Sequence, residues 1–136
     1  MEEKEARRLC IDLMEIAEVA ILTTVDPDGF PHTRAMFNLR RKEQFPELSE
    51  LFRKQHDDFP IYFTTNTSSS KIAHIKRNFK VSVYYSKPSE WRGLMLGGEV
   101  EIVKDGKIKE ELWQKGWERY YPGGPHDPDH TVLRLL

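Results

Sequence analysis

The chain has 136 residues, of which 38% are hydrophobic and 32% are charged, a composition typical of a globular protein rather than a disordered or fibrous one. Its 21 basic and 22 acidic residues give a net charge of -1, which excludes a general attraction to nucleic acid or to an acidic membrane. Cys10 is the only cysteine, so an internal disulfide and a zinc site with several cysteines are also excluded.

The sequence features relevant to localisation are a secretory signal at the N-terminus and apolar runs long enough to span a membrane. Residues 2–5 are all charged, unlike the basic and then apolar start of a secretory signal. No apolar run approaches the roughly 18 residues needed to cross a bilayer. We therefore expect a single domain over residues 1–136 in the cytoplasm, with neither nucleic acid nor a membrane as partner.

The first part of the chain predicts a helix and then a β-hairpin. Apolar residues recur at helical spacing over residues 6–20. Residues 19–25 and 30–39 read as strands on either side of Asp26-Pro27-Asp28-Gly29, in which Asp first, Pro second and Gly fourth suit a type I turn. The two-residue period of the second strand puts Arg34 on the face opposite to Ala35. A guanidinium is therefore expected to project from a pleated surface.

The middle of the chain predicts a strand that leads through a polar elbow into a helix. A charged linker at residues 40–43 precedes a short helix at 46–55, and residues 60–65 form an almost entirely apolar strand. The hydroxyl residues at 67–70 are suitable N-caps for a helix that stops near Asn78.

The last part predicts two further strands, a helix and a final strand. Residues 80–86 alternate as a strand, and residues 91–103 form a long strand that Gly97-Gly98 interrupts with a bulge or a close backbone approach. A final amphipathic helix is expected over residues 108–120, followed by a strand at 131–136. About six mostly antiparallel strands with peripheral helices indicate an α+β, mainly β, barrel.

The elbow at residues 64–71 is the most informative stretch of the sequence. A helix N-terminus with hydroxyls and the ammonium of Lys71 beside it suits a phosphate, and the guanidinium of Arg34 would add a bidentate partner for the same dianion. Plain helix capping is the alternative interpretation. A Walker loop is excluded because Lys71 has no glycine-rich segment before it.

Several short motifs follow one another in a specific order. They are LTTV at 22–25, DG at 28–29, PHTRAM at 31–36, FTTN at 63–66, SSK at 69–71, WRG at 91–93 and GGEVE at 97–101. This order resembles the pyridoxamine 5'-phosphate oxidase-like family, and YPGG at 121–124 with DPD at 127–129 narrows the resemblance to the general stress protein 26 branch. The resemblance extends over nearly the whole chain.

The resemblance implies an FMN-binding split β-barrel that works as a homodimer, with the flavin between subunits. Arg34 and Lys71 would hold the phosphate with help from Ser69 and Ser70. The positions that would line the rest of the flavin are Ala35, Met36, Phe37, Thr64 and Thr65, with Trp91 approaching from the other side of the groove. Ser70 stands where the oxidases of the family usually have an arginine, and only Arg134 lies near the C-terminus, so oxidation of pyridoxamine phosphate itself is not supported.

Other parts of the sequence leave alternatives open. A six-stranded barrel is too narrow to enclose a flavin, so a flavin would have to lie on the outside of the barrel. Aromatic residues outside the central strands then either cover the flavin rings or pack the last helix against the barrel of the same chain. These residues are Trp91, Trp113, Trp117, Tyr120 and Tyr121.

Pro128 argues against a metal site at residues 126–130, where Asp127 and Asp129 are expected to cap a turn instead. His32, His56 and His74 are interpreted as ordinary surface or packing residues.

No catalytic residue can be assigned from the sequence. No Ser-His-Asp, Cys-His or paired-carboxylate arrangement is visible, so any chemistry would come from the flavin, which would exchange electrons or hydride with a small molecule. The alternative is a stress-response module that binds flavin or haem without turnover.

Overall fold

The structure, a computed structural model, describes residues 2–54 and 60–136. Within these ranges the chain forms four α-helices and six β-strands, which are α1 (Glu3–Ile16), β1 (Val19–Val25), β2 (Pro31–Phe37), α2 (Pro46–Lys54), β3 (Ile61–Asn66), α3 (Ser70–Arg77), β4 (Lys80–Lys87), β5 (Arg92–Val103), α4 (Gly106–Leu112) and β6 (His130–Leu135). Short 3-10 helices lie at Pro88–Glu90 and Trp117–Arg119. No helix among the described residues is both long and apolar enough to span a bilayer.

The six strands form one sheet in the order β2-β1-β4-β5-β6-β3, and every neighbouring pair is antiparallel. Strand β5 joins the two halves, because its first eight positions, up to Glu99, pair with β4 and the positions from Val100 onward pair with β6. The sheet curls into a half-barrel, which confirms the predicted α+β split barrel. Its two edge strands, β2 and β3, come into contact, but no ladder joins them in the described ranges.

Two hydrophobic cores lie on either side of β3. One fills the half-barrel beneath α1 and α3 and contains Ile61 and Phe63. The other lies between β3, α2, α4 and the segment around Trp117, and contains Tyr62. Because β3 is buried on both faces, its sequence is a continuous apolar run rather than an alternating one.

The helix boundaries differ from those predicted in two places. Helix α1 ends at Ile16 rather than at residue 20, since Ala17 is already extended and caps it. The predicted final helix over residues 108–120 is wrong: α4 ends at Leu112, and Gly116 has a φ of 97° that no right-handed helix accommodates. The predicted C-terminal end of α2 at residue 55, like His56, lies outside the described residues.

Two further predictions are corrected by the packing. The bulge at Gly97-Gly98 is absent, since Ser82 and Val81 pair with these glycines in continuous register. The alternative prediction, a close approach to the backbone, holds at Gly98, where a Cβ would lie 3.3 Å from the Leu135 side chain. Arg40, assigned to a charged linker, is buried, and its Nε and Nη2 donate to the carbonyl of Pro60 at 2.9 and 2.7 Å.

Asn38 ties the end of α1 to the chain that follows β2. Its Nδ2 donates to the carbonyls of Met14 and Ala17, at 2.7 and 2.8 Å, and its Oδ1 accepts from the amide of Arg40 at 3.1 Å. The two carbonyls belong to the helix end that has no partner within the helix. Asn38 is only 1% exposed, so water cannot replace it.

We expect Asn38→Ala to lower the free energy of unfolding by roughly 2–3 kcal/mol, because two buried carbonyls would lose their donor. Urea denaturation measures the change. The matched control is Asn78→Ala, which removes a partly exposed side chain that accepts from the Lys80 amide and is expected to cost less than about 1 kcal/mol. Equal losses in the two variants would contradict the assigned role of Asn38.

Candidate functional site

A cleft of about 340 Å³ opens along the seam between β2 and β3. This volume lies in the range of roughly 300–1,000 Å³ that is usual for small-molecule sites. Aliphatic and aromatic groups make up most of the wall, with hydroxyls, one amide and one ammonium among them. The lining residues are Val19, Ala35, Met36, Phe37, Thr64, Thr65, Asn66, Lys71, Tyr120 and Tyr121.

Lys71 lies in the first turn of α3, where Ser69 caps the helix as the sequence predicts. The Lys71 ammonium donates to Thr65 Oγ1 and to Ser69 Oγ, both at 2.8 Å. Burial, and to a lesser extent the guanidinium of Arg34, lower the pKa of Lys71. Hydroxyls therefore orient this cation without neutralising it.

Arg34 projects from β2 toward the inside of the half-barrel, on the side of the buried Met36. Its Nη1 donates to Thr24 Oγ1 at 2.8 Å and to the carbonyl of Leu22 at 3.3 Å. Burial lowers the pKa of Arg34, although a guanidinium remains charged at any physiological pH. Like Lys71, Arg34 is held by neutral oxygen atoms.

Lys71 lines the cleft, whereas Arg34 is not among the lining residues but lies near Lys71, so that the two form an electropositive pair. Arg34 and Lys71 are close enough for one charge to act on the other, and within the described ranges neither forms an ion pair. Partial burial and mutual repulsion both disfavour this arrangement unless an anion binds there. The structure thus brings together the two predicted phosphate ligands, while their assignment to a phosphate stays a prediction.

The C-terminal loop holds the elbow that precedes α3. Asp129 Oδ1 accepts from the Ser68 amide at 2.9 Å, Asp129 Oδ2 accepts from Asn66 Nδ2 at 2.6 Å, and the Thr67 amide donates to the Asp129 carbonyl at 2.7 Å. Asp127 accepts from the amides of Gly123 and Asp129. Asp127 caps the local turn as expected. Asp129 caps the distant turn at the elbow instead, a contact between segments about 60 residues apart that no local pattern predicts.

The other predicted site residues fall into three groups. Ala35, Met36, Phe37, Thr64 and Thr65 all line the cleft. Ser70 is exposed at the start of α3, and its hydroxyl bonds to none of the described residues. Trp91 lies apart from the cleft: it is 96% exposed, has a φ of 52°, and borders a separate hollow beside α1.

Four lining residues were not assigned to the site from the sequence, namely Val19, Asn66, Tyr120 and Tyr121. The two tyrosines follow the short helix Trp117–Arg119, which replaces the predicted long one. Burial raises the pKa of the Tyr121 phenol, so this group stays protonated at neutral pH. Their signal in the sequence was the excess of aromatic residues outside the strands. Nothing there indicated that Tyr120 and Tyr121 line the cleft, or that Tyr121 also belongs to the second core with Trp117.

The histidines of the 126–130 loop are engaged separately. His126 Nε2 contacts Glu110 Oε1 at 2.6 Å on the surface. His130 is buried, with Nδ1 2.8 Å from the Pro125 carbonyl, and its Nε2 has no hydrogen-bond partner in the described part of the chain. Among the described residues no group of three or more histidine, cysteine and acidic side chains is arranged to hold a metal ion.

Comparison with known proteins identifies the family. Residues 11–136 match the family model described as pyridoxamine 5'-phosphate oxidase. The chain belongs to the pyridoxamine 5'-phosphate oxidase family. No curated protein matches the sequence.

Solved structures of the family are similar over almost the entire chain. A protein related to general stress protein 26 from Clostridium acetobutylicum is 30% identical, with 99% of this chain and 85% of the relative covered and a TM-score of 0.75. General stress protein 26 from Bacillus anthracis is 22% identical, with 97% and 88% covered and a TM-score of 0.72. A protein named F420 reductase is 27% identical, with 91% and 89% covered and a TM-score of 0.58. The predicted membership of this family and its general stress protein 26 branch is confirmed. The chain has the flavin-binding split-barrel fold of the family.

The hydrogen bonds of Asp129 predict how the elbow of this family member responds to acid. The hydrogen bond from Asn66, followed by the one from the Ser68 amide, lowers the pKa of Asp129 below its ordinary value of 3.8. The carboxylate therefore stabilises the folded state fully above pH 3.8, and this stabilisation is lost as the pH falls through the lowered pKa.

We expect Asp129→Asn to be less stable than the unchanged protein at pH 6, with the difference shrinking as the pH falls below 4. Chemical denaturation at a series of pH values measures both curves. The control is Asp28→Asn, at an exposed turn position whose carboxylate forms no hydrogen bond or ion pair with the described residues. A difference for Asp129→Asn that does not vary with pH would contradict this role of the carboxylate.

Proposed function

We propose that the protein is an FMN-binding flavoprotein, with the phosphate of the cofactor held between Arg34 and Lys71 and the remainder lying along the seam cleft. The observation that carries the proposal is the pair of partly buried cations, Lys71 in the wall of a largely apolar cleft and Arg34 near it, for which the described residues provide no acidic partner. Membership of a family that generally binds flavin supports the same ligand class.

The residues present fit the chemical groups of FMN. A phosphate monoester carries close to two negative charges at neutral pH, which match the two cations. Thr64 and Thr65 supply hydroxyls beside Lys71, which suits a hydroxylated chain. Ala35, Met36 and Phe37 supply an apolar wall for an aromatic ring system. Charge, hydroxyl groups and apolar surface, the three features that the cofactor requires, are therefore all present in or beside the cleft.

The residues of the cleft would bind and orient the cofactor rather than carry out the chemistry. Bound flavin supplies electron and hydride transfer. None of the lining residues is a carboxylate, a histidine or a cysteine, so the wall contains no ordinary general base. Phe37, Tyr120 and Tyr121 would exclude water from the apolar end of the cleft.

We also propose that the protein forms a homodimer, with the outer face of the sheet as the interface. In the sheet register Ala35, Ile21, Tyr84 and Met95 lie side by side across four strands, on the face opposite to the first core. Tyr84 and Met95 are 42% and 63% exposed, and the neighbouring row, which runs from Thr33 to Gly97, is also uncharged. Exposed apolar side chains that lie together on one face indicate an interaction surface, whereas single ones do not.

The dimer would complete the ligand site. The row begins at Ala35, which also lines the cleft, so a second copy packed on this face would lie beside the bound cofactor. Trp91, which the chain itself leaves 96% exposed, is then available to contact the cofactor of the other subunit. A self-complementary face gives a twofold pair in which both clefts are covered equally.

Fluorescence titration with FMN tests the ligand and its two cations. We expect Arg34→Ala and Lys71→Ala each to weaken binding by about 2 kcal/mol, or roughly thirtyfold in Kd, because one phosphate charge loses its partner. The matched control is Lys76→Ala, which removes an exposed ammonium from the same helix. Unchanged affinity in both site variants, or no uptake of FMN by the unchanged protein, would refute the proposal.

A second measurement separates turnover from simple binding. If the protein is an oxidoreductase, reduced nicotinamide added without oxygen bleaches the absorbance of the bound flavin. No bleaching with common donors would favour the non-catalytic flavin-binding module. Since one relative carries the name F420 reductase, F420 is the natural second ligand for the same titration.

Light scattering coupled to size exclusion tests the dimer. We expect the unchanged protein to elute as a dimer, and Met95→Glu to elute as a monomer, because a carboxylate would be buried without a partner in the interface. Phe30→Glu is the control, since Phe30 is 69% exposed but lies at the hairpin tip, away from the uncharged rows. A dimer that persists in Met95→Glu would exclude this face.

A further inference from the structure

The contacts behind Arg34 form a chain of hydrogen bonds that reaches α3. Arg34 Nη1 donates to Thr24 Oγ1 at 2.8 Å, and Thr24 Oγ1 lies 3.1 Å from His74 Nδ1. Thr24 is completely buried, whereas His74 is partly exposed. The His74 ring in turn packs against the ring of His32, with the ring centroids 4.8 Å apart.

The direction of these hydrogen bonds is fixed by chemistry. A guanidinium only donates, so Thr24 Oγ1 must accept from Arg34. The hydroxyl hydrogen of Thr24 then needs an acceptor of its own, because a buried donor without one is costly. His74 Nδ1 is the acceptor that the described residues provide. The arrangement therefore requires a lone pair on Nδ1, which places the ring proton of neutral His74 on Nε2.

The same chain determines which edge of the Arg34 guanidinium faces a ligand. The two hydrogens of Nη1 are both used, one for Thr24 Oγ1 and one for the Leu22 carbonyl. In the described part of the chain, Nη2 and Nε donate to no protein group. These two atoms form one bidentate edge of the guanidinium, of the geometry that suits an anion with two adjacent oxygens.

We propose that His74 is a positioning residue for anion binding: through Thr24 it holds Nη1 of Arg34 and so presents the Nε and Nη2 edge to the phosphate of the ligand. This inference rests on the proposed FMN function for the identity of the anion. His74 itself does not touch the ligand. Loss of its lone pair frees the Thr24 hydroxyl to rotate, and the longer bond to the Leu22 carbonyl is then the one fixed contact of Nη1 among the described residues.

The substitution His74→Leu removes the lone pair while keeping a good helix former at the position. We expect it to weaken FMN by roughly three- to tenfold and to leave riboflavin, which lacks the phosphate, unchanged. His74→Asn, whose Oδ1 can accept near the position of Nδ1, is expected to recover most of the lost affinity. Equal losses for FMN and riboflavin, or no rescue by Asn, would overturn the proposal.

A double-mutant cycle tests whether His74 acts through Arg34. In an Arg34→Ala background, His74→Leu should have no further effect on FMN affinity, since the residue that it positions is gone. Additive losses would show that His74 acts by another route and would overturn the proposal.

A measurement without flavin separates this inference from the proposed function. In isotope-labelled protein, the side-chain resonances of Arg34 should show restrained rotation of the guanidinium in the unchanged protein and faster rotation in His74→Leu. If the unchanged protein takes up no FMN but this difference is seen, the proposed function fails while the positioning role stands. If the two proteins show the same rotation, the positioning role is wrong whatever the ligand.

Discussion

The structure depends on a sheet that curls far enough for its edge strands to meet but not to pair. Strand β5 imposes this arrangement, because it pairs with β4 along its first part and with β6 along its last. Gly98, at the changeover, admits the Leu135 side chain where a Cβ would crowd it. Because β2 and β3 are in contact without forming a ladder in the described ranges, a seam remains between them, and the candidate ligand cleft opens along this seam.

The seam also explains the electrostatics of the site. Arg34 comes from the inner face of one edge strand, and Lys71 comes from the helix that follows the other. Closing the barrel would bury both cations, whereas opening it fully would expose them to water and separate them. The half-open form keeps them partly buried and close to each other, a state in which an anion has the strongest effect on both.

Much of the fold could be predicted from the sequence, because its signals are local. The β1–β2 hairpin, the Ser69 cap and the six strands follow from turn chemistry and hydrophobic period. The predicted helix over 108–120 failed because its apolar spacing is helical, yet Gly116 takes a positive φ and the aromatic residues pack as a loop. The burial of Arg40 could not be predicted either, because a cation in a charged stretch is normally exposed to solvent. Its partner, the Pro60 carbonyl, is brought beside it only by the tertiary fold. For the candidate site, the family resemblance supplied the cleft residues of β2 and β3 except Asn66. It missed those that arrive through tertiary packing, such as Tyr121 and Asp129.

The hydrogen bonds between Asp129 and the elbow have a consequence for the order of folding during biosynthesis. Asn66 and Asp129 are 63 positions apart, and among the described strands β3 forms a ladder with β6 alone. At about 5–20 residues per second, translation delivers that partner several seconds after β3. During this interval the nascent chain holds an apolar strand without its neighbour and an elbow without its anchor. β3 and the elbow therefore reach their final contacts only after residues 129–135 have left the ribosome.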